Sequence, residues 1–100
     1  MRPSVAIQGR TLEIRRLVES SGFIDVRIFG SVCRGEDREG SDLDLLATIP
    51  DELNGKISLF DILDLEATLG ELLGVAVDLN VENNMPEHFR REIDRSWIKL

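Results

Sequence analysis

The chain predicts an α+β fold in two layers: a small mixed β-sheet with helices packed on one face and an acidic site on the other. Three observations carry this expectation. Segments 23–29, 42–49 and 75–81 alternate aliphatic with other residues at a period of two, as strands with one buried face do. Segments 11–21 and 58–74 repeat their aliphatics at helical spacing. Asp42, Asp44 and Asp78 all fall on strand positions that point away from the aliphatic side.

The first helix is read over 11–21, "TLEIRRLVESS", with Ile14, Leu17 and Val18 on one face and Gly22 as its C-terminal stop. "FIDVRIF" follows as a strand with Ile24, Val26 and Ile28 on a shared face, broken by Gly30-Ser31. Residues 31–35 are read as a helical turn. In the next strand Leu43, Leu45, Ala47 and Ile49 face one way and Asp42, Asp44, Leu46 and Thr48 the other, until Pro50 ends it. "DELNGK" is a loop. Ser58 and Asp61 then form a capping box, and Ile62, Leu65, Leu69 and Leu72 mark the buried side of a long helix closed by Gly74. In "VAVDLNV" Val75, Val77 and Leu79 share a face, with Asp78 and Asn80 opposite. Pro86 starts a last helix carrying Phe89 and Ile93, and "WIKL" adds a short edge strand. The three aspartates lie together only if the third strand pairs beside the second.

One hundred residues are read as one domain, 1–100. Twelve basic against nineteen acidic residues give a net charge of −7, which argues against direct nucleic-acid binding. A phosphate held at one local site is not excluded by it. The single cysteine, Cys33, allows no internal disulfide and suits a reducing compartment. The N-terminus has no signal-peptide core, and no apolar run approaches the roughly 18 residues that span a bilayer. The expectation is a cytoplasmic protein without membrane contact.

Strand residues two apart project the same way, about 6.5–7 Å apart along the chain. Asp42 and Asp44 so placed repel each other unless water or a cation intervenes. Their oxygens suit hard cations such as Mg²⁺, and Asp78 would complete a set able to hold the two ions of a two-metal site for transfer at phosphorus. Gly30 after a strand permits a tight turn and a close ligand. The N–H groups of residues 31–35 and the Ser31 hydroxyl then offer donors to phosphate. Arg34 adds a cation beside a triphosphate, and Ser41 orients the start of the second strand. Singly, these features are ordinary: a Gly-Ser is more often a plain turn, Asp-x-Asp more often a solvated rim, and Arg34 can pair with Glu36 or Glu39. Cys33 reads as a small filler, His88 as a surface residue and Trp97 as a packing anchor.

Together, "GSVCRGEDREGSDLDLL" resembles the minimal nucleotidyltransferases of the polymerase-beta-like nucleotidyltransferase superfamily. Gly30, Ser31, Arg34, Gly35, Ser41, Asp42, Asp44 and Leu45 match that family's pattern, "VAVDLNV" matches its segment holding a third acid, and "FRREIDRSWIKL" resembles its C-terminal helix and strand. Departures are Cys33, where alanine is common, and Ser96-Trp97, where glycine and valine are common. The resemblance implies the nucleotidyltransferase fold and a Mg²⁺-dependent transfer of a nucleoside monophosphate, AMP from ATP. Gly30 and Ser31 would hold the β and γ phosphates, with Arg34 and Ser41 beside them. Asp42, Asp44 and Asp78 would be the catalytic and metal-binding set, Asp78 binding the second ion or accepting the acceptor's proton. It also implies an antitoxin role, with adenylylation of a tyrosine on a HEPN-domain ribonuclease toxin as partner. Neutralisation by binding alone, or service as the catalytic half of a two-chain small-molecule transferase, stands as the alternative.

Overall fold

The aliphatic alternation becomes a four-stranded mixed sheet. In the computed structural model, which describes residues 1–93 and 96–100, the elements are α1 (Pro3–Ala6), α2 (Thr11–Ser20), β1 (Ile24–Phe29), α3 (Ser31–Arg34), β2 (Leu43–Thr48), α4 (Leu59–Leu73), β3 (Val77–Val81), α5 (Glu87–Ile93) and β4 (Trp97–Lys99). Short 3-10 turns at Asp51–Leu53 and Glu82–Asn84 link β2 to α4 and β3 to α5. Asp94 and Arg95, inside the C-terminal segment read above as a helix and strand, lie outside the described residues. No helix among the described residues is long and apolar enough to cross a membrane.

The strand order is β3-β2-β1-β4. β1 runs antiparallel to both β2 and β4, while β2 and β3 are parallel. A parallel pair needs a crossover, and α4 supplies it. Its start is the capping box read from the sequence: Asp61 N–H donates to Ser58 Oγ at 3.2 Å and Ser58 N–H donates to the Asp61 carboxylate at 2.8 Å. Its end is Gly74 in the left-handed region at φ 74°, as expected of a C-terminal cap.

The main core lies between the sheet and helices α2 and α4. Ile14 and Val18 of α2 and Leu65, Leu69 and Leu73 of α4 pack on Val26, Ile28, Leu43, Leu45, Ala47 and Leu79. Burial of this kind supplies most of the drive to fold.

Three features depart from the sequence reading. Ile24 is exposed rather than sharing the face of Val26 and Ile28. The β1–β2 register slips between Ile24 and Arg27, with Asp25 at φ 52°, and this bulge turns the strand's first residue outward. The chain also begins with an unforeseen short helix, α1. Finally, the acid-bearing face is not wholly open. Phe29, Leu46 and Ile93 form a second, smaller core with Met85, so α5 lies on that face.

The outer edge of β3 is blunted, because Leu79 N–H donates to the Glu66 carboxylate of α4 at 2.7 Å.

Candidate active site

Strand register sets the site. The antiparallel β1–β2 ladder puts Phe29 opposite Asp44, so the Gly30 turn begins beside that aspartate. The parallel β2–β3 ladder puts Asp78 opposite Asp44 on the other side, one strand spacing of about 4.8 Å away. Asp42, read above as the first residue of this strand, lies exposed one residue before β2 begins, because the ladder starts only at Leu43, and its charge acts on Asp44. Asp44 therefore sits between a glycine turn and two further carboxylates, which is the juxtaposition the sequence anticipated.

Gly30 adopts φ 76° and ψ −148°, a conformation that side chains oppose. A Cβ there would overlap Asp44 Oδ2 and lie 3.2 Å from Asp44 Cγ. Only glycine lets the backbone turn directly against the carboxylate. α3 starts at the next residue, Ser31, and its first-turn N–H groups have no acceptor within the helix. Gly35, at φ 68°, ends it after one turn.

The loop from α3 to β2 is tied down. Asp37 is buried, and its carboxylate accepts Ser4 N–H at 2.9 Å and the Arg2 guanidinium at 3.4 Å. The Ser4 hydrogen bond holds this carboxyl below its usual range. Ser41 closes the loop's last turn, its Oγ accepting Arg38 N–H at 2.8 Å. Asp37 and its partners were not singled out by the sequence; they stand more than thirty residues apart, and no local pattern joins them. Arg34 is exposed and pairs with Glu36 at 3.1 Å. With Gly30, Phe29, Phe89 and Ile93 it lines a cleft of about 280 Å³ under α5. Cys33 is partly buried and donates to the Ile28 carbonyl at 2.8 Å, so its sulfur faces the core.

Electrostatically Asp44 is only partly compensated. Among the described residues no group donates a hydrogen bond to the Asp44 carboxylate. Burial pushes its pKa up to about 6, reinforced by Asp78 and then Asp42 and only partly opposed by Arg34. The set offers carboxylate oxygens without sulfur or imidazole, which fits a hard cation such as Mg²⁺. Among the described residues no three acidic, His or Cys side chains are gathered closely enough to encage an ion.

The arrangement suits a phosphate donor held at the glycine turn and a cation drawn into the carboxylates. Residues 13–99 match the family model described as "Nucleotidyltransferase domain". The chain belongs to that nucleotidyltransferase family. Its relatives there include the protein adenylyltransferase MntA of Thermococcus cleftensis, 33% identical over 88% of this chain and 85% of that one. A Methanocaldococcus jannaschii protein provisionally named a protein adenylyltransferase is 40% identical over 75% of this chain and 74% of its own. A solved structure provisionally described as a minimal nucleotidyltransferase superposes with a TM-score of 0.81 at 36% identity, covering 97% and 95% of the two chains. The fold also matches, at TM-score 0.71 and 16% identity over 92% and 69% of the chains, a complex of the tri-AMPylated Shewanella oneidensis HEPN toxin with its MNT antitoxin.

Proposed function

We propose that this chain transfers AMP from ATP to a protein hydroxyl, a tyrosine of a HEPN-domain ribonuclease toxin, and so acts as that toxin's antitoxin. The observation that carries this reading is the register that seats Asp44 between the Gly30 turn and Asp78. The adenylyltransferase relatives and the AMPylated-toxin complex support the choice of acceptor.

In this reading Gly30, Ser31 and the first turn of α3 hold the β and γ phosphates, and Arg34 swings from Glu36 to neutralise them. Ser41 keeps the loop shaped so that Asp42 enters the site. Two Mg²⁺ ions, held by Asp42, Asp44 and Asp78, would neutralise charge on the triphosphate. The acceptor oxygen attacks the α-phosphorus, the bond to the β-phosphate oxygen breaks, and pyrophosphate leaves. Asp78, exposed at the rim, accepts the hydroxyl proton. Positioning and charge neutralisation supply the acceleration.

The test is label transfer from α-labelled ATP to the toxin, with and without Mg²⁺. Asp42→Asn with Asp44→Asn should lower transfer on the order of 1,000-fold or more while the melting temperature does not fall. Undiminished labelling by the double variant would overturn the assignment. Full neutralisation by that variant without any transfer would instead favour an antitoxin that acts by binding.

A further inference from the structure

Asp42 is held differently from the other two acids. Asp44 and Asp78 face each other across the parallel β2–β3 ladder, so the hydrogen bonds of the sheet fix where both stand. Asp42 is exposed and precedes the ladder. Its place is set by the loop that delivers it, residues 35–41. Asp37 is the buried member of that loop, its side chain 1% exposed, while its neighbours on either side stand in solvent. A buried carboxylate is costly unless it is satisfied. Asp37 is satisfied from α1, by Ser4 N–H at 2.9 Å and by the Arg2 guanidinium at 3.4 Å. α1 is itself anchored, because Pro3 and Ala6 are buried and Ala6 and Ile7 belong to the main core. A line of contacts therefore runs from the core through α1 to Asp37. It continues through the Arg38–Ser41 turn, where Arg38 N–H donates to Ser41 Oγ at 2.8 Å and Ser41 N–H to the Arg38 carbonyl at 3.0 Å. Asp42 is the next residue.

We infer that Asp37 is a positioning residue: moored to the Ser4 amide, it sets the direction from which Asp42 reaches the cation. α1 thereby becomes part of the active-site framework although it lies some forty residues earlier in the chain. The inference rests on the proposed function in one respect, since it takes Asp42 as a cation ligand. Asp37 itself touches neither nucleotide nor metal. The Ser4 amide carries the mooring, because Arg2 is half exposed and an ion pair so wetted is worth little.

Binding of Mn²⁺ in the presence of AMP-PNP, followed by electron paramagnetic resonance, tests the assignment. Mn²⁺ takes the same oxygen ligands as Mg²⁺. All measurements are made well below each variant's melting midpoint. Asp37→Ala should weaken Mn²⁺ binding about tenfold, the usual effect of removing a group that orients a metal ligand. Asp37→Glu keeps charge and acceptor but lengthens the mooring by one methylene, and should also weaken binding, by about fivefold. Asp37→Asn, whose amide oxygen still accepts Ser4 N–H, should stay within about threefold of wild type, and Arg2→Ala within about twofold. In an Asp42→Asn background Asp37→Ala should cost nothing further, because coupled residues are not additive. In transfer assays the Mg²⁺ concentration for half-maximal rate should rise about tenfold in Asp37→Ala, with kcat at saturating Mg²⁺ falling much less. Wild-type affinity in folded Asp37→Ala or Asp37→Glu overturns the inference. So do additive losses with Asp42→Asn, failure of the wild-type chain to bind Mn²⁺, or loss of folding in both Asp37 variants, which would leave Asp37 a stability anchor only. Absence of AMP transfer alongside Asp37-dependent Mn²⁺ binding would sink the proposed function and leave this placement standing.

Discussion

The two ends of the acid-bearing sheet face have opposite electrostatics. At one end Asp44 is partly buried among Asp42 and Asp78 with no hydrogen-bond donor among the described residues, and its pKa rises to about 6. A few residues along the same strands, Glu82 accepts Arg27 at 2.6 Å, Thr48 at 2.7 Å and Arg90 at 2.9 Å. Its pKa is lowered, first by the hydrogen bond from buried Arg27 and then by Thr48. Arg27 also lies 5.6 Å from the centre of the Trp97 ring, a cation–π contact. The Glu82 end ties β1, β2, β4 and α5 together. The Asp44 end keeps like charges unneutralised at a cost in stability, and such a cost is retained where a site needs it.

Gly30→Ala should have the largest effect on the contrast. The added methyl collides with the Asp44 carboxylate in a backbone region that alanine disfavours, so transfer activity should fall about 100-fold. Near-normal turnover by Gly30→Ala would show that the turn does not need to abut Asp44. Glu82→Ala should act the other way, on the fold. Removing the counter-charge of buried Arg27 costs about 2 kcal/mol, below the full penalty of a dry pair because Glu82 is partly in water. The expected readout is a melting-temperature drop on the order of 10 °C, while kcat measured well below the new midpoint changes little.

The smallest effect is a matter of pH. Asp44 has its folded pKa raised from 3.8 to about 6, so its stabilising contribution is complete below 3.8 and is lost as pH rises through about 6. Glu82 has its pKa lowered from 4.5, so its contribution is present above 4.5 and is lost on acidification. Without added metal, Asp44→Asn should raise the melting temperature at pH 8 by about 2–4 °C and by less at pH 5. Glu82→Gln should remove part of the acid-side decline. If Asp44→Asn melted identically to wild type at both pH values, the like-charge account of this end would be wrong.

What could be read beforehand was whatever local chemistry determines. The α4 caps are set by residues three or four apart, and the facing of Leu43, Leu45 and Ala47 follows from pleating, so both were legible. The pairing of Asp44 with Asp78 followed from their places in two strands read as neighbours, whereas Asp42, read as a strand residue too, falls just before β2. The bulge at Asp25 was not: alternation alone gives no sign that an aspartate will adopt φ 52° and throw Ile24 outward. Nor was the Arg27–Glu82 pair, 55 residues apart, or the placement of α5 over Phe29 and Leu46. Those depend on how distant segments meet once the sheet exists.

The carboxylate of Glu66, set on the Leu79 amide at the border of β3, has a bearing on assembly. It occupies a donor that an incoming strand would use, and the opposite border is a three-residue strand, Trp97–Lys99. Ladder growth from either side is thereby discouraged. The chain is thus spared the runaway stacking to which an unguarded sheet is prone.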